Sequence, residues 1–217
     1  PEQMMKDRAD FARKGIARGR ALAAVRYTEG IVIIAENASE TLRKVSEIYD
    51  RIAFAGVGKY NEFDQLRVAG VRAADLKGFQ YSRDDVDARS LANSYAQMLG
   101  TIFTHEMKPM EVEILVAEVG LTPEGDQMFH ILYDGTVVDE RDFAAIGGDA
   151  EAINARLGES WTDGLDRAAA IALGRSALSG PDREIPDGDL EVADLSRTNG
   201  RRCFHRLGAA DLAPDGA

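Results

Sequence analysis

Apolar positions along the chain change period several times, and each change marks an element. Met5, Ala9, Ala12 and Ile16 recur at helical spacing, with Met4 and Phe11 beside them, so residues 3–18 predict an amphipathic helix whose other face is Arg and Lys. The stretches ALAAVRYT and GIVIIAEN, joined around Glu29-Gly30, predict a hairpin. The second of these is apolar on both faces, as in a sheet covered on both sides. KVSEIYD and RIAFAGVG predict the next strand pair.

Two long helical patterns follow: Tyr60, Phe63, Leu66, Gly70 and Ala74, then Ala88, Leu91, Ala92, Tyr95, Leu99, Ile102 and Phe103. The period then returns to two. Val112, Ile114 and Val116 share a face in VEILVAEVG, and MFHILYDGTVVDE predicts a hairpin whose Asp134-Gly135 turn needs positive φ. Helices are expected at roughly 149–159 and 162–178, and LEVADL with RRCFHRL closes the chain as a hairpin around Asn199-Gly200. SGPDREIPDGD, residues 179–189, predicts a polar loop, and the tail after Leu207 predicts poor order.

Strands in blocks and helices in pairs indicate α+β layering rather than alternating βαβ winding. Nine or ten strands with two helix pairs fit two stacked sheets with a helix layer outside each, a four-layer αββα sandwich. The 217 residues suit one domain, divided into a leading helix at 1–19, the sandwich at 20–207 and a tail at 208–217.

Charge adds one asymmetry. The chain carries a net charge of -11, yet residues 1–26 hold seven Lys or Arg against three acids, a net of +4 that leaves -15 for the remainder. An end so different from the rest suggests that it meets a partner. An acidic surface repels phosphate backbones, so nucleic acid binding would rest on the short basic segment alone and is not expected. No apolar run reaches the roughly 18–20 residues that span a bilayer, and the first residues lack the pattern of a signal peptide, so no membrane partner is expected. The lone Cys203 excludes an internal disulfide framework and fits a reducing, cytoplasmic setting, in which Asn37-Ala38-Ser39 is a chance glycosylation pattern.

Motif chemistry is sparse. FAGVGKY fails as a phosphate loop, with Ala53 at its first glycine and Tyr60 at its magnesium-binding hydroxyl, and GVGKYN fails the dinucleotide pattern at Asn61. His105, His130 and His205 lack metal-ligand spacing, so neither metal nor cofactor is expected. No Ser or Cys is framed as an elbow nucleophile. Glu36 and Lys44 remain, by composition an ordinary salt-bridging pair.

Several segments, in order and at the right spacing, resemble the α subunits of the 20S proteasome of actinobacteria. PEQMMKDRADFARKGIARGR is similar to that family's leading helix, KVSEIYDRIAFAGVGKYNEFDQLR to its central block and RSLANSYAQMLGTIFT to its second long helix, with YDGTVVDE and GGDAE further along. The resemblance implies the fold of N-terminal nucleophile hydrolases, in agreement with the layering. In the sister β subunits an N-terminal Thr attacks the peptide, helped by its own amine and a nearby lysine. Aligned on the second strands, Arg20 stands where that Thr would be, with Glu36 and Lys44 near the acid and lysine positions. Arginine cannot act as nucleophile, and the chain's amine lies twenty residues upstream.

The resemblance therefore implies a non-catalytic subunit of a homo-heptameric α ring. The implied partners are proteasome β subunits, an AAA+ ring ATPase activator and unfolded protein substrates. The implied leading helix, with Arg13, Lys14, Arg18 and Arg20, faces ring neighbours and docking ATPases, and the gating tail precedes it. Lys44 is implied to receive the C-terminal carboxylate of an activator, with Gly19 at the pocket wall; a plain ion pair between Lys44 and Glu36 is the structural alternative. Two other readings stay open: an active threonine-type hydrolase subunit of the same fold, and an unrelated binding module with a basic docking helix.

Overall fold

The computed structural model describes residues 1–212. Its order begins α1 (Glu2–Ala17), β1 (Leu22–Tyr27), β2 (Gly30–Glu36), β3 (Val45–Tyr49), β4 (Ile52–Gly58), α2 (Tyr60–Gln80) and α3 (Ala88–His105). It continues with β5 (Val112–Glu118), β6 (Gln127–Ile131), β7 (Val137–Glu140), β8 (Phe143–Ile146), α4 (Ala150–Ser160), α5 (Arg167–Ser179), β9 (Leu190–Ser196), β10 (Phe204–Leu207) and α6 (Ala209–Leu212).

β2 explains the architecture. Every residue from Gly30 to Glu36 is buried, so this strand must lie at the centre of a sheet with both faces covered. It pairs antiparallel with β1, Leu22 opposite Ala35 and Tyr27 opposite Gly30, and with β9, Gly30 opposite Ser196 and Glu36 opposite Leu190. The first sheet runs β10-β9-β2-β1-β8 and the second, a simple meander, runs β3-β4-β5-β6-β7.

Ala24, Ile31, Ile33 and Ala35 of one sheet meet Ala53, Ala55, Leu115 and Ala117 of the other in the inter-sheet core. Many of these are alanines, whose small side chains let the sheets approach. Phe54, Ile114 and Val116 turn the other way and are covered by Phe63 and Leu66 of α2 and Leu91, Tyr95 and Leu99 of α3. Val25, Val32 and Ile34 are covered by Ile153 and Leu157 of α4 and Ala170 and Ala177 of α5. This is the expected αββα sandwich. Each fully buried Ile or Leu contributes about 1.5–3 kcal/mol relative to exposure.

α1 belongs to the same body. Ala12 and Ile16 are buried with the inter-sheet core, so the leading helix closes one end of the gap between the sheets. Gly58, at φ +102°, ends β4 where any side chain would run into the Glu111 carbonyl oxygen.

Four boundaries differ from expectation. β8 was not anticipated as a strand: FAAI is four residues long, stops at Gly147-Gly148 and is too short for alternation to show. α5 begins at Arg167, not 162, because the Asp166 carboxylate accepts the Ala169 N–H at 2.8 Å as its cap and Gly164 breaks the approach at φ +88°. In the β6–β7 turn only Gly135 has positive φ, while Asp134 stays at negative φ and accepts the Thr136 N–H at 2.9 Å. Of the expected tail, Ala209–Leu212 is a short helix and residues 213–217 lie outside the described residues.

No helix among the described residues is long and apolar enough to cross a membrane.

Candidate functional site

The candidate site forms where β2 ends and β3 begins, on opposite sheets. Glu36 is the last residue of β2 and is buried at its side chain. A buried carboxylate needs compensation. Arg183, from the loop after α5, supplies it with two bonds, Nη1 to Oε1 at 2.7 Å and Nη2 to Oε2 at 2.6 Å, and Arg20 Nη1 adds a third at 3.0 Å. The Arg183 bonds hold the Glu36 carboxyl below the usual carboxylate range.

Lys44 is therefore not the partner of that carboxylate. Its Nζ donates instead to two main-chain carbonyls, Arg20 O at 2.8 Å and Glu36 O at 3.0 Å. The ion-pair alternative for Lys44 is thus replaced by another arrangement: arginines neutralise Glu36, and the lysine ties the entry of β1 to the exit of β2. Burial pulls the Lys44 ammonium down to about 8, against the opposing pull of Glu191 and Glu36.

The backbone before β3 is held by Glu191. This buried carboxylate accepts the Lys44 N–H at 2.8 Å, the Val45 N–H at 3.0 Å and Asn37 Nδ2 at 2.9 Å, and pairs with Arg206 at 3.0 Å. Lys44 thus projects from a fixed strand end. A rigid base is what a recognition cation needs.

Gly19 sits one residue before the carbonyl that Lys44 binds. It has ordinary φ, and a Cβ there would lie 3.3 Å from Ile16 O and 3.4 Å from Gly58 N. Its small size serves the close approach of the end of α1 to the end of β4. The adjoining cleft, about 900 Å³, is lined by Arg18, Gly19, Arg20, Glu36, Arg156 and Arg183 among others, and Lys44 is not part of that lining.

The basic residues of the leading segment separate into groups. Arg13 lies over the Tyr133 ring at 5.7 Å and 3.6 Å from Asp10. Lys14 and Arg18 are exposed, with no carboxylate among the described residues at salt-bridge distance. Arg20 follows the helix rather than riding on it, and its guanidinium is committed to Glu36. This corrects its expected place on the docking helix.

The anchoring residue that sequence reasoning missed is Arg8. Its guanidinium donates to Phe103 O at 2.7 Å, Ile102 O at 3.2 Å, Glu106 O at 2.6 Å and Met107 O at 3.2 Å. These carbonyls close the C-terminus of α3, where the last turn lacks partners and the helix dipole favours a cation. A basic residue aligned with the apolar stripe of α1, one residue before Ala9, was the only local signal.

Chemically, the centre of the site gathers three cations, Lys44, Arg20 and Arg183, around Glu36. Beside Lys44 and Glu36 the side chain is that of Arg20, a guanidinium with no attacking atom. No group of three or more potential metal ligands occurs among the described residues.

The family model for the proteasome subunit matches residues 16–184. The proteasome subunit alpha of Acidimicrobium ferrooxidans is 63% identical over 207 residues, covering 95% of this chain and 89% of the relative. That of Kineococcus radiotolerans is 56% identical over 223 residues, covering 98% and 94%. That of Sanguibacter keddieii is 57% identical over 212 residues, covering 95% and 83%. A match that runs from the end of α1 through β1–β8 to the loop after α5, joined to these identities along nearly the full chain, places the protein in the proteasome subunit family, beside its bacterial α subunits.

Proposed function

We propose that this chain is a non-catalytic α subunit of a proteasome core particle. It forms a heptameric ring with copies of itself, sits on β subunits that carry the proteolytic threonines, and admits unfolded protein chains in the cytoplasm. On this reading the Lys44 ammonium receives the terminal carboxylate of a ring ATPase activator, with Gly19 at the wall and Arg13, Lys14 and Arg18 facing the docked partner.

The observation that carries the docking role is the hydrogen bonding of Lys44. Two of its three donors are used on carbonyls, Glu36 is neutralised by other residues, and the ammonium remains able to accept a carboxylate partner. Such a charge-assisted contact is worth about 1–3 kcal/mol. Several activator tails on one ring multiply it through effective concentration, so a small loss per pocket becomes a large loss of avidity. The relatives' names and the guanidinium at position 20 both support the non-catalytic assignment.

The test uses particles assembled from this chain and a β partner. Lys44→Ala leaves ring assembly and small-peptide cleavage intact and lowers activator-dependent degradation of folded protein by about tenfold or more. Rings that fail to form would make the lysine structural, and normal protein degradation with the ATPase would exclude the docking role. The chain alone is expected to hydrolyse no fluorogenic peptide; threonine-type turnover by it would overturn the non-catalytic assignment.

A further inference from the structure

The cleft of about 900 Å³ collects four arginines from separate segments: Arg18 and Arg20 between α1 and β1, Arg156 from α4, and Arg183 from the loop after α5. Two of them are committed to Glu36. Arg20 gives that carboxylate only one Nη1 bond, so its Nε and Nη2 are unbonded among the described residues, as is Nε of Arg183.

Arg18 and Arg156 have no acid partner among the described residues. Arg18 is exposed. Arg156 is half-buried and its Nε donates to Ala177 O at 2.8 Å, a bond that fixes the guanidinium at the end of α5. Gly180 follows there at φ +69°, and a Cβ on it would lie 3.4 Å from Arg156 Nη2, so the guanidinium packs against this glycine. A carbonyl orients a cation without neutralising it. Asp149 and Asp182 also line the cleft, yet both are exposed and beyond salt-bridge distance of all four arginines. Asp149 starts α4 without a side-chain cap bond, which leaves the first-turn N–H groups beside Gly148 without a side-chain acceptor.

We propose that this cleft binds a short chain of inorganic phosphate, such as pyrophosphate or tripolyphosphate. A carboxylate offers two oxygens and one charge, enough for one guanidinium fork. A phosphate chain offers more oxygens and several charges, and so engages forks that stand on separate segments. None of the described residues lining the cleft is aromatic, so the base of a nucleotide would gain no stacking platform. A chain of net charge -11 repels polyanions in general, and tight binding of one therefore requires a local site of this kind. Lys44 does not line the cleft, and the proposal stands apart from the docking role given to that residue.

Calorimetric titration of the full-length chain with tripolyphosphate, at an ionic strength fixed with sodium chloride, tests it. Wild type is expected to bind tripolyphosphate more tightly than pyrophosphate, and ATP no more tightly than tripolyphosphate. Arg156→Gln should weaken binding by about tenfold and the exposed Arg18→Gln by about threefold. Both together should weaken it by about thirtyfold if the two contacts act independently. Arg202→Gln removes the same charge outside the cleft, from an exposed arginine paired with Glu47 of β3, and should leave affinity within about twofold.

Affinity unchanged in the double variant, or lowered as much by Arg202→Gln, would overturn the site, since the anion would then follow net charge alone. No binding by wild type would do the same. ATP binding more tightly than tripolyphosphate would replace the ligand class with a nucleotide, and citrate matching tripolyphosphate would replace it with a polycarboxylate. Arg156 also holds the end of α5, so melting temperatures without ligand separate unfolding of its variant from lost affinity. Arg18→Gln has no such bond to lose, and its affinity decides the matter if the Arg156 variant unfolds.

Discussion

Arg8 and Lys44 are both cations bound to main-chain carbonyls, yet their surroundings make them do opposite things. Arg8 spreads four contacts over the end of α3 and stacks on Phe103 at 5.8 Å, so its donors are spent inside the chain. Lys44 makes two such bonds and is held at about 8 by burial. A guanidinium with many fixed donors and a permanent charge suits a staple. A compact ammonium with a donor to spare and a shifted pKa suits a receptor. The chain thus uses arginine to fix the leading helix and, under the docking role proposed above, lysine to meet a partner.

The sharpest way to break this comparison is Arg8→Ala. Losing the cap on α3 is expected to lower stability by about 2 kcal/mol, or about 4–8 °C in melting temperature. Amide hydrogen exchange should rise in α1 and in the last turn of α3 together. Arg8→Lys should recover little, because one ammonium cannot reach four carbonyls. Unchanged exchange in α1 would mean that Ala12 and Ile16 hold the helix without the staple.

A smaller effect is expected at Glu36, which ties the Lys44 region together. Glu36→Gln removes the charge facing Arg183 and Arg20, whose heads are half in water, so the cost is about 1 kcal/mol. The pH dependence is more telling. A carboxyl whose folded pKa is depressed contributes stability above its unfolded value of 4.5 and loses it as pH falls through the folded value. Wild type should therefore lose more stability than Glu36→Gln on acidification below 4.5, measured by urea midpoints.

The smallest change in stability, but the most specific, belongs to Lys44. Its folded pKa of about 8 lies below its unfolded 10.5, so the unfolded chain holds more protons between these values. Folding is then favoured, not opposed, as pH rises across that window, and Lys44→Met should flatten this rise. Carboxylate docking runs the other way and should weaken as pH rises through about 8, where the ammonium is lost. Activator affinity independent of pH from 7 to about 9.5 would separate Lys44 from docking.

Much of the fold was legible because periodicity is local. β2 announced itself by apolar residues on both faces, α2 and α3 by their stripes, and the Asn199-Gly200 hairpin by its turn residues, with Gly200 at φ +88°. The site was legible only through resemblance, which brought Arg20, Glu36 and Lys44 together without saying what each would bind. Arg183 was read as part of a polar loop, and nothing near it in the chain marks it as the bidentate partner of a carboxylate 147 residues away.

The sequence by itself determined the order of elements, the layering and the excess of cations at the start, since these follow from side-chain spacing and charge that need no partner. Tertiary structure alone decided that Lys44 binds carbonyls while arginines take Glu36, and that Arg8 caps α3. Each depends on which groups two distant segments bring within about 3 Å, and on which of them burial deprives of water, so that desolvation selects the pairing.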